Sequence, residues 1–174
     1  MGKILVAFFS HAGETYYAGG MKMLQKGNAN IIAEKARNML KADMFEIKAE
    51  NEYPQNYNEC CKVAKDELMT NKRPKLLGYL EDLDDYEDIV LVYPCWWGTM
   101  PMPVFTFLEH YDLSKKNILP ICTHEGSGMG KSESDLSSVC ENSNVCAGLA
   151  IQGTSAENCD AKLKGYFKAN GLLW

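Results

Sequence analysis

The sequence predicts a three-layer α/β/α fold, with a doubly wound, five-stranded parallel sheet, in one domain spanning residues 1–174. Two observations predict this class. Apolar runs of strand length alternate with helix-like segments, as expected for a parallel sheet with crossover helices. The run at residues 89–93 is continuously apolar, which is typical of a strand buried on both faces. A chain of 174 residues can bury a single core, so no second domain is needed.

Five strands are predicted, and each is an apolar run of suitable length. Right-handed crossovers between them are compatible with the sheet order 2-1-3-4-5. In that order, the loops that follow strands one, three and four converge at the carboxyl edge of the sheet. The predicted strands are residues 4–9, 44–47, 89–93, 118–122 and 145–151.

The segments between the strands carry helix signals. The first helix should begin near Asn28 or Asn30, because asparagine is a good N-cap, and should end near Leu40. The prolines at positions 101 and 103 mark the start of the third helix, and Gly171 marks the end of the last one. The predicted second, fourth and fifth helices cover residues 57–69, 131–139 and 156–170.

The region between Glu14 and Lys26 is predicted to be a long loop. Its Tyr-Tyr-Ala-Gly-Gly stretch at residues 16–20 fits neither a helix nor a strand. Long loops inside compact domains usually have a function, so this one is a candidate for a role beside a ligand site.

Composition excludes several classes of function. The net charge of -5 argues against nucleic acid and against an anionic membrane as partners. The chain does not begin with a segment of signal-peptide form, so a cytoplasmic location is expected. The seven cysteines lack paired CxxC spacing and are expected to be reduced thiols. The three histidines share no metal-ligand spacing with other residues, so no metal site is expected.

Acidic residues are concentrated in the segment that begins at Glu81 and ends at Asp88, where six of eight residues are Asp or Glu. Two interpretations remain open. The segment is either a solvated turn before the third strand or a docking surface for a basic redox partner protein.

Two adjacent tryptophans, Trp96 and Trp97, directly follow the third strand and stand between a proline and a glycine. Indole rings are costly to expose, so this pair indicates a flat aromatic ligand that stacks on them at the carboxyl edge of the sheet. The alternative is that both rings cap the edge of the sheet.

The other two converging loops have complementary chemistry. Ser10, with the Gly-Asn helix start at residues 27–28, can hold a phosphate through hydroxyl and backbone amide groups; an ordinary capped helix is the alternative. Residues 10–15 are an alternative phosphate-binding loop, but the glycines at positions 19 and 20 follow too soon for a helix to begin directly after it. In the third loop, residues 123–130, three glycines within five residues allow the main chain to lie flat against a planar ring. A flexible surface turn is the alternative there.

Four strings resemble the flavodoxin family, over nearly the whole chain: Phe-Ser-His-Ala-Gly-Glu at 9–14, Gly-Asn at 27–28, Pro-Cys-Trp-Trp-Gly-Thr-Met-Pro-Met-Pro at 94–103, and Thr-His-Glu-Gly-Ser-Gly-Met-Gly at 123–130. The resemblance implies noncovalent FMN binding, with the phosphate at the first loop and the ring between the other two. Ala29 departs from the family, which usually has Thr there. The candidate cofactor-binding residues are Ser10, Gly27, Asn28, Ala29, Asn30, Pro94, Cys95, Trp96, Trp97, Gly98, Thr99, Met100, Thr123, His124, Glu125, Gly126, Gly128 and Met129.

The resemblance implies a low-potential electron carrier that passes electrons between partner proteins. A second hypothesis is an NAD(P)H-dependent, FMN-containing reductase of quinones or similar small molecules, in which the long loop roofs the substrate site and His124 donates a proton. The chain has no GxGxxG after a strand, which favours the carrier. A third hypothesis, which only Ala29 invites, is a flavin-free interaction module.

Overall fold

The computed structural model describes residues 2–174. It contains eight strands, five α-helices and one short 3-10 helix within that range. In chain order these are β1 (Lys3–Phe8), β2 (Gly13–Tyr17), β3 (Gly20–Leu24), α1 (Asn28–Leu40), β4 (Asp43–Glu46), α2 (Tyr57–Met69), β5 (Tyr86–Pro94), α3 (Met102–His110), β6 (Asn117–His124), α4 (Ser132–Val139), β7 (Asn144–Val145), β8 (Leu149–Gln152), the 3-10 helix (Gly153–Asn158) and α5 (Asp160–Ala169).

The main sheet is parallel and has the order β4-β1-β5-β6-β7, with β8 also paired to β6. Strands β4, β1, β5 and β6 correspond to the predicted strands two, one, three and four, so their order agrees with the prediction. The predicted fifth strand, residues 145–151, is instead two short strands, so the sheet has six strands rather than five. Between them the chain leaves the sheet, and the Gly148 amide donates to the Glu133 carboxylate, at 2.6 Å from its Oε1.

Helices cover both faces of the sheet and divide the core in two. On one face, α1 and α5 pack against alternate strand residues such as Val6 and Val90. On the other face, α3 and α4 pack against the intervening residues, such as Leu5 and Leu91. This arrangement confirms the predicted α/β class, with a mostly parallel sheet flanked by helices. No helix in residues 2–174 is long and apolar enough to cross a membrane.

The region between Glu14 and Lys26 is not the predicted loop but mostly an antiparallel hairpin of β2 and β3. The two strands meet at a two-residue turn, Ala18 and Gly19, and both have positive φ, as in type I′ turns. Sequence reasoning missed the hairpin because alanine is uncommon in that conformation. The Glu14 carboxylate Oε2 accepts hydrogen bonds from the Tyr57 amide and the Asn56 side chain, both at 3.0 Å, which fixes the hairpin to the start of α2.

The first helix begins at Asn28 as predicted, but its capping residue differs from the prediction, and so does the start of the last helix. The N-cap of α1 is Gly27, which has no side chain to cap the helix, so the predicted asparagine cap is wrong. The last helix begins at Asp160 rather than near residue 156, because a 3-10 helix covers Gly153–Asn158 first.

The acidic segment lies at the amino end of β5, whereas the three converging loops lie at the carboxyl ends of the strands. Nine residues that rise about 3.3 Å each separate these edges by about 26 Å. Buried Lys116 anchors the segment, since its Nζ donates to the carbonyl oxygens of Leu83 and Tyr86 at 2.7 and 2.8 Å. A partner that docks on this segment therefore contacts the opposite edge of the sheet from those loops, so the predicted docking surface does not lie beside them.

Candidate functional site

A cavity of about 490 Å³ opens at the carboxyl edge of the sheet. Its walls come from the loops after β1, β5 and β6, from the β2–β3 hairpin and from one face of α2. The sheet topology thus brings the three predicted loops to one cavity. The predicted residues that line it are Ser10, Asn28, Ala29, Pro94, Cys95, Trp96, Trp97, Thr123, His124 and Glu125.

The remaining predicted residues do not line the cavity. Thr99 and Met100 are fully buried, and the Thr99 hydroxyl donates to the Asp135 carboxylate on α4. Met129 packs against the core on the other side of its loop. Positive φ values at Gly98, Gly126 and Gly128 shape the turns behind the wall. The predicted residues outside the wall are Gly27, Asn30, Gly98, Thr99, Met100, Gly126, Gly128 and Met129.

The first wall combines Ser10 with the first turn of α1. The Ser10 Oγ accepts a hydrogen bond from the Asn30 amide at 3.1 Å, so its own hydroxyl proton is free to donate. In the first helical turn, the Asn30 and Ile31 amides donate to the Gly27 carbonyl at 3.1 and 3.2 Å, whereas the Asn28 and Ala29 amides have no acceptor within residues 2–174. The helix dipole is positive there, and no acidic residue occupies that turn. This donor set suits a phosphate group and needs no Lys or Arg.

Gly27 brings the two parts of this wall together. A Cβ at this position would lie 2.2 Å from the Ser10 Oγ and 2.6 Å from the His11 carbonyl oxygen. Only a residue without a side chain allows the loop after β1 to lie this close to the start of α1.

Trp96 forms the second wall and is held by edge-on aromatic contacts. Its ring centroid lies 5.2 Å from that of Phe9, 5.0 Å from that of Tyr53 and 5.8 Å from that of His11. These contacts fix the orientation of the indole. Burial lowers the pKa of His11, which keeps the imidazole neutral at neutral pH.

Trp97 occupies a tight turn at the rim of the cavity. Trp96 and Thr99 exchange backbone hydrogen bonds of 2.9 and 3.2 Å, and the two residues between them, Trp97 and Gly98, have positive φ. A left-handed conformation is rare for a bulky residue and is a sign of a functional constraint. The indole stays 49% exposed while its Nε1 donates to the Cys61 carbonyl at 3.0 Å. The turn therefore presents one ring inward and one at the rim.

The third wall is tied to the second. The Lys131 amide donates to the Gly98 carbonyl at 2.8 Å, and the Cys95 amide donates to the Thr123 carbonyl at 2.8 Å. The His124 Nδ1 accepts from the Gly126 amide at 3.0 Å, which leaves Nε2 as the protonated nitrogen of a neutral ring. His124 can therefore donate a hydrogen bond into the cavity from Nε2.

Three buried polar atoms around the site have no hydrogen-bond partner within residues 2–174: His11 Nε2, Asn30 Oδ1 and Glu125 Oε1. His11 and Glu125 line the cavity. Buried polar atoms in proteins are nearly always paired, so these atoms indicate a polar ligand that would complete their hydrogen bonding.

Sequence reasoning missed one wall of the cavity, which is formed by α2. The spacing of 57, 60, 61 and 64 places these residues on one helix face, but the same spacing is also the ordinary signal of a face packed on a core. The long loop that contains Tyr16 was expected to form a roof, and the hairpin does place Tyr16 in the wall. His11 had only the signal of the alternative phosphate-binding loop at residues 10–15. The lining residues not among the predicted cofactor contacts are His11, Glu14, Thr15, Tyr16, Leu24, Tyr57, Asn58, Cys60, Cys61 and Ala64.

A buried carboxyl supports the aromatic wall from behind. Glu67 on α2 is 6% exposed, and the Tyr53 hydroxyl donates to its Oε2 at 2.6 Å. Tyr53 in turn contacts Trp96. Burial raises the pKa of Glu67 above its ordinary value of 4.5, although the Tyr53 hydrogen bond opposes that shift.

This raised pKa predicts a pH dependence of stability. In the unfolded chain the Glu67 carboxyl ionises near pH 4.5, whereas in the folded protein it ionises at a higher pH. The contribution of Glu67 to the free energy of unfolding is therefore fully present below pH 4.5 and is lost as the pH rises through the pKa of the folded state. Glu67→Gln keeps an acceptor for Tyr53 and should remove this loss. Urea unfolding from pH about 4 to about 8 should show the wild type losing stability relative to the variant. Exposed Glu52→Gln should keep the wild-type slope, and parallel slopes for Glu67→Gln would contradict the expectation.

Comparisons with known proteins agree with this architecture. A family model described as Flavodoxin matches residues 3–169. A protein from Bacteroides eggerthii assigned as a flavoprotein is 22% identical, with a TM-score of 0.79 over 97% of this chain and 98% of that chain. A flavoprotein in complex with FMN from Lactobacillus acidophilus is 19% identical, with a TM-score of 0.69 over 95% of this chain and 99% of that chain.

An NADH:FMN oxidoreductase in its apo form is 13% identical, with a TM-score of 0.58 over 96% of this chain and 87% of that chain. No curated protein matches the sequence. At these identities the structural likeness establishes the fold.

Proposed function

The chain belongs to the flavodoxin family, and from that premise we propose that it binds FMN noncovalently in the cavity and serves as a low-potential electron carrier between partner proteins. One observation carries the proposal: a helix start whose donors suit a phosphate and an aromatic wall face the same cavity of about 490 Å³. A molecule with an anionic tail and a flat ring matches both parts.

The residues present fit FMN. Ser10 and the first-turn amides of α1 would hold the phosphate, while Trp96 and the backbone of the third loop would enclose the ring. Glu125 and His11 offer unpaired polar atoms to the ribityl chain or the ring edge. When bound, FMN supplies the ability to accept and release one or two electrons.

The charges around the cavity support a low potential. Two carboxylates, Glu14 and Glu125, line it, and Glu125 Oε1 is buried without a hydrogen-bond partner in residues 2–174. None of its lining residues is Lys or Arg. Negative charge nearby disfavours an added electron, so the protein would hold the cofactor in its oxidised form more tightly. The exposed ring of Trp97 marks the rim where a partner would approach.

A second candidate function, a reductase of quinones or similar small molecules with NAD(P)H as donor, is favoured by the hairpin. The hairpin places Tyr16 in the wall beside α2, which forms a roof that a carrier does not need. His124, with its Nε2–H facing the cavity, would donate a hydrogen bond to the quinone oxygen that gains negative charge on reduction.

Two measurements on the purified protein test these proposals. A visible spectrum with flavin bands after desalting, and quenching of indole emission on FMN addition, are expected if the cavity binds FMN. Colourless protein that does not respond to excess FMN would reject both functions and favour a flavin-free module. NADPH oxidation with menadione should be negligible for a carrier, whereas sustained turnover by the protein alone would replace the carrier with the reductase.

A further inference from the structure

An exposed row of α2 residues lies beside the mouth of the cavity. The residues at positions 58, 62, 65 and 69 recur at intervals of three or four, so they lie along one side of the helix, and all four are exposed. Asn58 lines the cavity, and Met69 is 76% exposed. Beyond Asn58, the row therefore presents two lysines and one methionine to solvent.

Trp97 connects this row to the cavity. Its Nε1 donates to the Cys61 carbonyl at 3.0 Å, and the Lys65 Nζ lies over its ring, 5.1 Å from the centroid. A cation is attracted to the face of an indole, so this contact holds the Lys65 ammonium at the rim. Trp97, Lys62, Lys65 and Met69 are called the rim surface below.

The rim surface is positively charged. Neither Lys62 nor Lys65 forms an ion pair within residues 2–174. The acidic residues of the same helix surface, Glu59 and Asp66, belong to the next row, which is turned farther from the cavity. The Glu14 carboxylate near the start of α2 already accepts two hydrogen bonds. An approaching protein therefore meets two unpaired cations beside Trp97.

The acidic character of the whole chain does not cancel this local charge. The segment from Glu81 to Asp88 lies at the opposite edge of the sheet, about 26 Å from the converging loops. Exposed charges are largely screened beyond about 10 Å at 0.1 M salt. A chain of net charge -5 thus carries a positive surface at the mouth of its cavity.

We propose that the rim surface docks an acidic partner protein. Carboxylates of the partner pair with Lys62 and Lys65, and an apolar patch within its acidic surface covers Trp97 and Met69. Tryptophan and methionine are enriched at protein interfaces, and complementary charges around them speed association and fix orientation. That the docked partner exchanges electrons with the cofactor rests on the proposed function.

Cytochrome c and its lysine-succinylated form are matched probes, because they share one fold and one haem but carry opposite charge. Carbodiimide should cross-link the succinylated form to flavin-free protein through Lys62 and Lys65. A linked lysine resists trypsin, so the expected cross-linked peptides contain residues 49–65 and 63–72. Met69→Glu keeps both lysines but adds a repelling charge, and it should lower the yield of these links.

Electron transfer tests the same surface in FMN-loaded protein reduced with dithionite, in which the reduced flavin gives one electron to each ferric haem. The rate with succinylated cytochrome c should fall as salt rises from about 0.1 M to about 0.5 M. The variant Lys62→Gln with Lys65→Gln should lower that rate about fivefold to tenfold, and should not slow transfer to native cytochrome c. Lys164→Gln with Lys168→Gln, on α5 away from the cavity lining, should match the wild type.

Cross-links spread evenly over exposed lysines, including those of α5, would overturn the proposal. Faster transfer to native cytochrome c, with its lysines linked to the segment from Glu81 to Asp88, would overturn it as well and place docking at the far edge. The cross-links need no flavin, so they are separate from failure to bind FMN. Links at Lys62 and Lys65 in protein that does not retain FMN would support the docking surface and reject only the electron carrier.

Discussion

Gly27→Ala is expected to weaken FMN binding strongly while leaving most of the fold intact. The added Cβ would lie 2.2 Å from the Ser10 Oγ and 2.6 Å from the His11 carbonyl oxygen, and the second contact is with backbone that cannot rotate away. Relief requires the loop after β1 to move off the start of α1, which separates the hydroxyl from the helical amides. Overpacking of this kind costs about 1–3 kcal/mol, so FMN affinity should fall roughly 10-fold to 100-fold.

Gly165→Ala is the matched control for that experiment. Gly165 lies within α5, and a Cβ there meets nothing within 4 Å. Alanine should raise stability by about 0.5–1 kcal/mol, because glycine is unfavourable inside a helix, and should leave FMN affinity unchanged. Isothermal titration calorimetry with FMN measures the affinity of each variant, and urea unfolding measures its stability. Wild-type affinity in Gly27→Ala would show that the helix start does not hold the phosphate.

Trp96→Ala should destabilise the protein and also weaken FMN binding. The indole contacts Phe9, Tyr53 and His11 edge-on, so its removal leaves a gap under three rings as well as a missing wall. Truncating a large aromatic in such a cluster costs about 3 kcal/mol, and the urea midpoint should fall accordingly. FMN affinity should drop about tenfold or more, because the ring loses its packing surface.

Two further variants keep this second experiment interpretable. Trp174 is 92% exposed, so Trp174→Ala should change stability by less than about 0.5 kcal/mol and leave binding unaltered. Trp96→Phe retains an aromatic ring and should recover much of the lost stability if the alanine variant unfolds. Full FMN affinity in a folded Trp96→Ala protein would place the ring of the cofactor elsewhere.

Local chemistry explains where sequence reasoning succeeded. The run at residues 89–93 becomes the fully buried middle of β5, since only a strand covered on both faces tolerates continuous apolar residues. The prolines at 101 and 103 mark a helix start because proline suits the first turn. Such signals arise from residues that are neighbours in the chain, so a single sequence is enough to predict these elements.

The sequence reasoning failed where a conformation depends on partners that are distant in the chain. Ala18 takes a left-handed conformation inside a hairpin turn, and the Glu14 carboxylate holds that hairpin on α2. The fifth predicted strand is interrupted, and at the interruption the Gly148 amide bonds to Glu133. Thr99 turns away from the cavity because its hydroxyl bonds to Asp135. No local propensity or hydrophobic period in the sequence predicts these contacts.

By itself, the sequence determined the α/β class, the three loops at one edge of the sheet and the paired indoles between them, because hydrophobic period and turn chemistry are local properties. Only the tertiary structure decided which side chains face the cavity, that α2 supplies one wall, and that the acidic segment lies at the far edge. These outcomes depend on the register of neighbouring strands and on the packing of helices, which bring together residues that the chain keeps far apart.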